Sequence, residues 1–114
     1  MADLNAQLRA ALTEQAKVGG PISYRDLAAR LGLKPPQTIH RVALALESLM
    51  DEDAAADRPL LAALCIGKTQ PGIPAPGFFL KAQALGLFPG DAAGPDAEAF
   101  HAHELQRAIA YYGA

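Results

Sequence analysis

Hydrophobic residues at the beginning of the chain recur at the spacing of a helix. The pattern predicts an amphipathic helix over residues 1–18, ended by Gly19-Gly20, since glycine commonly follows a helix C-terminus. Pro21-Ile22 has room for no more than a strand stub. Three leucines carry the periodicity of this helix: Leu4, Leu8 and Leu12.

A capping pattern marks the start of a second helix. The Ser23 hydroxyl can accept a hydrogen bond from a backbone N–H one turn further on, and the Asp26 carboxylate can reach back. The helix continues through the apolar Leu27 and Leu31 to Gly32, which suits the position just beyond a helix end.

A rigid turn at residues 33–36 precedes a third helix, because Pro35-Pro36 cannot continue a helix. Thr38 can cap the third helix, and the two helices with their turn predict a helix-turn-helix at about residues 23–52. The apolar stripe expected to face inward is Ile39, Val42, Leu46 and Met50. The residues expected nearer the outer side are His40, Arg41 and Glu47.

A second apolar group follows in the later half of the chain. Leu60–Ile66 is a continuous apolar run, short enough for a buried strand, and the proline-rich residues 69–76 form a loop. Gly77–Leu80 fits either a returning strand or the start of a short helix through Leu85. With two strands, residues at about 60–80 would make a wing.

Pro95 fits the first turn of a last helix at about residues 95–112, where its missing amide hydrogen is not needed. The chain of 114 residues has the size of one domain. We therefore expect a single α+β, mostly helical domain over residues 1–114, a winged helix-turn-helix with an additional C-terminal helix.

The segment Ile22-Ser23-Tyr24-x-x-Leu27-Ala28 resembles one in the DNA-binding winged helix of O6-alkylguanine–DNA alkyltransferases and their non-enzymatic alkyltransferase-like relatives. The resemblance covers about residues 20–50, and more weakly the segment to residue 80. It implies that Tyr24 corresponds to a tyrosine that crowds a DNA phosphate. It also implies that Arg41 corresponds to an arginine that replaces a flipped base in the stack.

The reactive Pro-Cys-His-Arg centre of that family is absent. Arg58-Pro59-Leu60-Leu61 stands where it would fall, and the single cysteine, Cys65, lies among apolar residues with no adjacent histidine. A thiol buried in such surroundings has a raised pKa and is inert. We therefore expect no alkyl transfer and no enzymatic activity.

Charge is nearly balanced overall and uneven along the chain. Residues 1–50 hold six basic and four acidic residues, whereas residues 51–114 hold four basic and eight acidic ones. A polyanion would therefore bind the first half. One cysteine excludes an intramolecular disulfide and a thiolate zinc site. With neither a signal peptide nor a bilayer-length apolar run, we expect a cytoplasmic protein that does not enter a membrane.

The candidate DNA-binding residues lie on the helix-turn-helix and in the wing loop. Arginine can take both acceptors of guanine, glutamine can pair with adenine, and a threonine at a helix start can hold a phosphate. Ordinary surface charge is the alternative interpretation of these residues. The set comprises Tyr24, Arg25, Arg30, Lys34, Gln37, Thr38, His40, Arg41 and Lys68.

Other polar residues predict no site. His101 and His103 point apart on a helix, so they cannot share a metal ion, and both are interpreted as surface. No cofactor motif is present. Tyr111 and Tyr112, one packed and one exposed, could form a homodimer contact.

The expected function is binding of double-stranded DNA, in transcription regulation or as a non-enzymatic accessory to DNA repair. The alternative is a protein–protein interaction module on the same scaffold, because the acidic second half suits a basic partner.

Overall fold

The computed structural model describes residues 3–67, 72–90 and 94–114. The part of the chain that it describes is mostly helical, with five α-helices and a small sheet of two strands. In chain order the elements are α1 (Leu4–Val18), β1 (Ile22–Ser23), α2 (Tyr24–Arg30), α3 (Thr38–Ala55), a 3₁₀ helix (Leu61–Leu64), β2 (Cys65–Ile66), α4 (Pro76–Ala84) and α5 (Pro95–Tyr112).

The ends of α2 confirm the predicted roles of Ser23 and Gly32. The Ser23 hydroxyl accepts a hydrogen bond from the backbone N–H of Asp26 at 3.1 Å. At the other end Gly32 adopts a left-handed conformation with φ of 70°, and the N–H of Leu33 returns to the carbonyl of Ala28 at 3.1 Å. This closure satisfies a carbonyl that would otherwise lack a partner and turns the chain towards α3.

Helix α3 starts where the sequence predicts, but two details of the prediction were wrong. The capping residue is Gln37, with φ of 60° and no side-chain cap, and Thr38 is the first helical residue. Ile39, expected inside, is 46% exposed. The ion pair that joins α3 to α4 is made by Asp51, about three turns beyond Ile39.

The apolar run before residue 67 is buried as predicted, but only its last two residues form a strand. Leu61–Leu64 is a 3₁₀ helix, and β2 pairs in parallel with β1, with Ile22 opposite Cys65 and Ser23 opposite Ile66. Side chains from α3 and α5 bind the backbone N–H groups at the start of this 3₁₀ helix. These bonds favour a turn over an extended strand, because they supply the partners that a sheet would provide.

Of the two predictions for residues 77–85, the short helix is confirmed and the returning strand is wrong. Phe78 and Phe79 are both buried in α4. Consecutive residues point to opposite faces of a strand, whereas on a helix they lie about 100° apart and can enter the same core. An antiparallel wing is therefore absent from the described part of residues 60–80. In this region the Gly67 N–H donates a hydrogen bond to the Ile73 carbonyl at 2.8 Å, and residues 68–71 lie outside the described part.

Helix α5 packs against α1 and the 3₁₀ helix. Tyr111 is 55% exposed. Tyr112 is half-buried, and its hydroxyl donates to the carbonyl of Pro59 at 2.8 Å. The prediction of one packed and one exposed tyrosine is thus confirmed. In the described ranges, no helix has both the length and the apolar character needed to cross a bilayer.

Candidate nucleic-acid interface

Helices α2 and α3 and their turn place most of the predicted DNA-binding residues at the surface. Thr38 is half-buried in the first turn of α3, and Tyr24 is half-buried at the start of α2. The exposed members are Arg25, Arg30, Lys34, Gln37, His40 and Arg41. The cations of this group form no ion pair with any described acidic residue.

Arg41 lies on the outer face of α3. One terminal nitrogen of its guanidinium group, Nη1, donates to the carbonyl oxygen of Lys34 at 3.1 Å. This bond holds the side chain over the turn between α2 and α3. A guanidinium group has five N–H donors in a fixed plane, so most of them stay available for a ligand.

Arg30 is engaged differently. Its Nη1 donates to Oε1 of Gln15 at 3.0 Å, and the Gln15 amide nitrogen donates to the carbonyl of Gly20 at 2.9 Å. Gln15 is itself buried, so Arg30 links α2 to the end of α1. Its first role is thus structural, although its side chain is at the surface.

Tyr24 also serves as a link. Its hydroxyl oxygen accepts a hydrogen bond from the backbone N–H of Ala75 at 3.0 Å, which fixes the start of α2 to the segment before α4. Burial raises the pKa of Tyr24 to about 12. The remaining candidate, Lys68, lies outside the described residues.

The start of α3 offers unpaired backbone donors. Gln37 provides no side-chain cap. The first helical hydrogen bond is the one that the Arg41 N–H donates to the Gln37 carbonyl oxygen, at 3.0 Å. Uncapped N–H groups together with the positive end of the helix dipole attract anions. The helix start and the Arg41 guanidinium group both lie beside the same turn.

A buried ionic cluster lies at the opposite end of α3. Asp53 is fully buried, and its Oδ1 pairs with Nη2 of Arg9 at 2.9 Å and Nη2 of Arg58 at 3.1 Å. Its other oxygen accepts from the N–H of Leu61 at 3.1 Å. The sequence analysis missed this cluster. An acidic residue near a helix C-terminus is normally unfavourable, because that end of the helix dipole is negative. Here the positive charges of the two arginines compensate for this repulsion.

Helix α5 contributes two more buried polar groups. The Glu104 carboxylate accepts from the N–H of Leu60 at 2.7 Å, and Nε2 of His101 lies 2.8 Å from the carbonyl of Ala63. Burial lowers the pKa of His101. The surface interpretation of His101 was therefore wrong. Its spacing of four and seven residues from the apolar Leu105 and Ala108 of the same helix was the available signal.

Cys65 is buried, and its burial raises the pKa of the thiol, as the sequence predicts. In the described part of the molecule, no three His, Cys, Asp or Glu side chains come together in a way that could hold a metal ion.

A cleft between α3 and α4, which the sequence analysis also missed, lies on a different side of α3 from Arg41. Its wall includes Tyr24, Leu46, Met50 and Phe78, and its main charged group is the carboxylate of Glu47. Glu47, expected nearer the outer side with His40 and Arg41, is half-buried here.

Comparison of the chain with protein-family models, curated proteins and solved structures finds no significant match.

Proposed function

We propose that this protein binds double-stranded DNA through the outer face of α3 and the turn before it. The observation that carries the proposal is Arg41, which is exposed, lies in the helix that follows the turn, and has no ion pair with any described residue. In helix-turn-helix proteins the second helix enters the major groove with its N-terminal residues facing the bases.

Two kinds of contact follow from this arrangement. Gln37 and Arg41 would read base edges, while the uncapped backbone of α3 at Thr38 and the cations Arg25 and Lys34 would bind phosphates. Most affinity of such complexes comes from phosphate contacts, whereas specificity comes from the base edges.

A variant of the winged-helix scaffold, with a helix in place of the second strand of the wing, is part of this proposal. After the helix-turn-helix, Gly67 N–H bonds to the Ile73 carbonyl, and α4 follows. Cys65 is buried and its burial raises the pKa of the thiol, which supports a regulator or a non-enzymatic repair accessory over an alkyl-transferring enzyme.

The decisive experiment measures duplex DNA binding against salt concentration for the wild type and Arg41→Ala. A phosphate contact should lower the salt slope by about one unit, whereas base reading should alter sequence preference and cost about 1–3 kcal/mol. Lys17→Ala is the matched control, since Lys17 is exposed on α1 and pairs only with Glu14 among described residues. Unchanged binding by Arg41→Ala, or an equal loss by the control, contradicts the proposal.

A protein-interaction module is the second candidate. Ile39 and Leu44 are 46% and 54% exposed on α3. Exposed aliphatic residues on a presented helix suit an apolar partner surface better than a DNA groove. Two results together would favour this function: the Leu44→Ser substitution abolishes partner binding, and the wild-type protein does not bind duplex DNA.

A further inference from the structure

A cavity of about 110 Å³ lies between the end of α3 and the middle of α5. This space has room for several water molecules or one small ion, and it is too small for a drug-sized ligand. Two arginines, one from each side, line it together with two carboxylates. These charged residues are Asp57, Arg58, Glu104 and Arg107.

Two buried carboxylates hold the arginines on the same wall. Consecutive backbone N–H groups at the start of the 3₁₀ helix bind these carboxylates, one donating to Oε2 of Glu104 at 2.7 Å and the next to Oδ2 of Asp53 at 3.1 Å. The two carboxylates are therefore neighbours. Asp53 pairs with Arg58 at 3.1 Å, and Glu104 pairs with Arg107, so two guanidinium groups are positioned beside one cavity.

The guanidinium groups have donors to spare. Among the described residues, Arg58 pairs only with Asp53, and its Nε is buried without a hydrogen-bond partner. Arg107 pairs only with Glu104 in the same ranges, and its side chain is 49% exposed. A guanidinium group has five N–H donors, and donors left without an acceptor on burial are costly. An anionic acceptor in the cavity would therefore be favourable, because charge-assisted hydrogen bonds are the strongest kind.

The surrounding charges select an anion with one negative charge. Arg9, Arg58 and Arg107 meet two buried carboxylates, which leaves one positive charge in the buried cluster. The exposed Asp57 at the rim, and the exposed Glu52 that pairs with Arg9, oppose any further negative charge. A monoanion therefore suits the cavity better than a doubly charged phosphate.

The apolar part of the wall suits a short hydrocarbon group. Leu87 is 42% exposed, so its side chain is accessible to a ligand. Phe100 is half-buried and stacks on Phe88 with ring centroids 4.8 Å apart, which holds its ring in place. A planar carboxylate also matches the forked donors of arginine.

We propose that this cavity binds a small monocarboxylate, with its carboxylate on the terminal N–H groups of Arg58 and Arg107. Its short hydrocarbon part would lie against Leu87 and Phe100. The site is at the opposite end of α3 from Arg41, so the inference does not depend on DNA binding.

NMR titration with propionate at constant ionic strength tests the proposal. Propionamide is the neutral analogue of the same shape, and inorganic phosphate is the oxyanion of higher charge. We expect saturable binding of propionate, with shifts of the Leu87 backbone N–H and the Arg107 Nε–H. Propionamide should bind at least about tenfold more weakly, because hydrogen bonds to a charged group are lost, and phosphate should also bind more weakly.

Two substitutions should change the affinity in opposite directions. Arg107→Gln should weaken propionate binding by at least about tenfold. Asp57→Asn removes the opposing charge at the rim, and asparagine tolerates the φ of 57° at this position, so binding should become about two- to fivefold tighter. The matched controls are Lys17→Gln and Glu14→Gln, which alter an exposed ion pair of the same spacing on α1 and should leave binding unchanged.

Ala54→Leu provides a variant without a change of charge, since Ala54 is half-buried in the cavity wall and the larger side chain would fill the space. It should block propionate while circular dichroism and urea unfolding show that the fold is intact. Several results would each overturn the proposal: no saturable binding by the wild type, equal binding of propionate and propionamide, tighter binding of phosphate, or unchanged affinity in Arg107→Gln or in Asp57→Asn.

Discussion

Asp53 of α3 and Arg9 of α1 are joined by an ion pair of 2.9 Å, and the carboxylate is fully buried. The same carboxylate pairs with Arg58 and binds the N–H of Leu61. One acidic side chain thus connects α1, α3 and the 3₁₀ helix. Because a desolvated charge depends on all its partners, removing one member of this connection should be strongly destabilising.

Asp53→Asn should lower the free energy of unfolding by about 3 kcal/mol, since it removes the buried carboxylate that pairs with Arg58 and with Arg9, and leaves Arg9 only its exposed partner Glu52. Urea unfolding followed by circular dichroism measures the change. Asp51→Asn is the matched control, because the pair of Asp51 with Lys81 is at the surface and should contribute less than about 1 kcal/mol. Equal effects of the two substitutions would show that the buried pair carries no special weight.

His101 should make stability depend on pH. Burial lowers its pKa in the folded state, so on acidification the unfolded chain binds the proton first. Its stabilising contribution is complete above the ordinary histidine pKa and is lost as pH falls through the lower folded value. Urea unfolding between pH 7.5 and 5 should show a smaller fall in stability for His101→Gln than for wild type. The exposed His40→Gln should behave as wild type, and an unchanged pH dependence in His101→Gln would contradict the assignment.

Gly113 lies where no side chain fits. A Cβ atom there would come 2.5 Å from the carbonyl oxygen of Ala16 and 2.6 Å from that of Ile109, well inside van der Waals contact. Gly113→Ala should therefore separate the ends of α1 and α5 and lower stability by about 1–3 kcal/mol in thermal unfolding. Gly20→Ala, with nothing within 4 Å of the added atom, is the control, and a neutral Gly113→Ala would show that this contact is absent in solution.

Cys65 should be unreactive in the folded protein. Its thiol is buried and its pKa is raised by that burial, so little thiolate is accessible. Mass spectrometry after incubation with alkylated DNA should show no adduct, and iodoacetamide should label Cys65 only after unfolding by urea. Labelling of the folded protein at the rate of the unfolded chain would contradict the buried placement.

Local sequence signals identified the features that depend on neighbouring residues alone. Ser23 and Gly32 define the ends of α2 through bonds to their own backbone surroundings, and these were predicted. The choice between strand and helix at Phe78-Phe79 stayed open, because an apolar pair has no period of its own.

The sequence by itself determined α1, α2, α3 and α5, the caps of α2 and the outward direction of Arg41, because each follows from residues within a few positions of one another. Only the tertiary structure decided that Asp53, His101 and Glu104 are buried and that Glu47 borders a cleft. The hydrogen-bond partners of Asp53, His101 and Glu104 lie 8 to 44 positions away in the chain. A buried polar side chain needs partners, and for these three residues folding brings the partners from elsewhere in the chain.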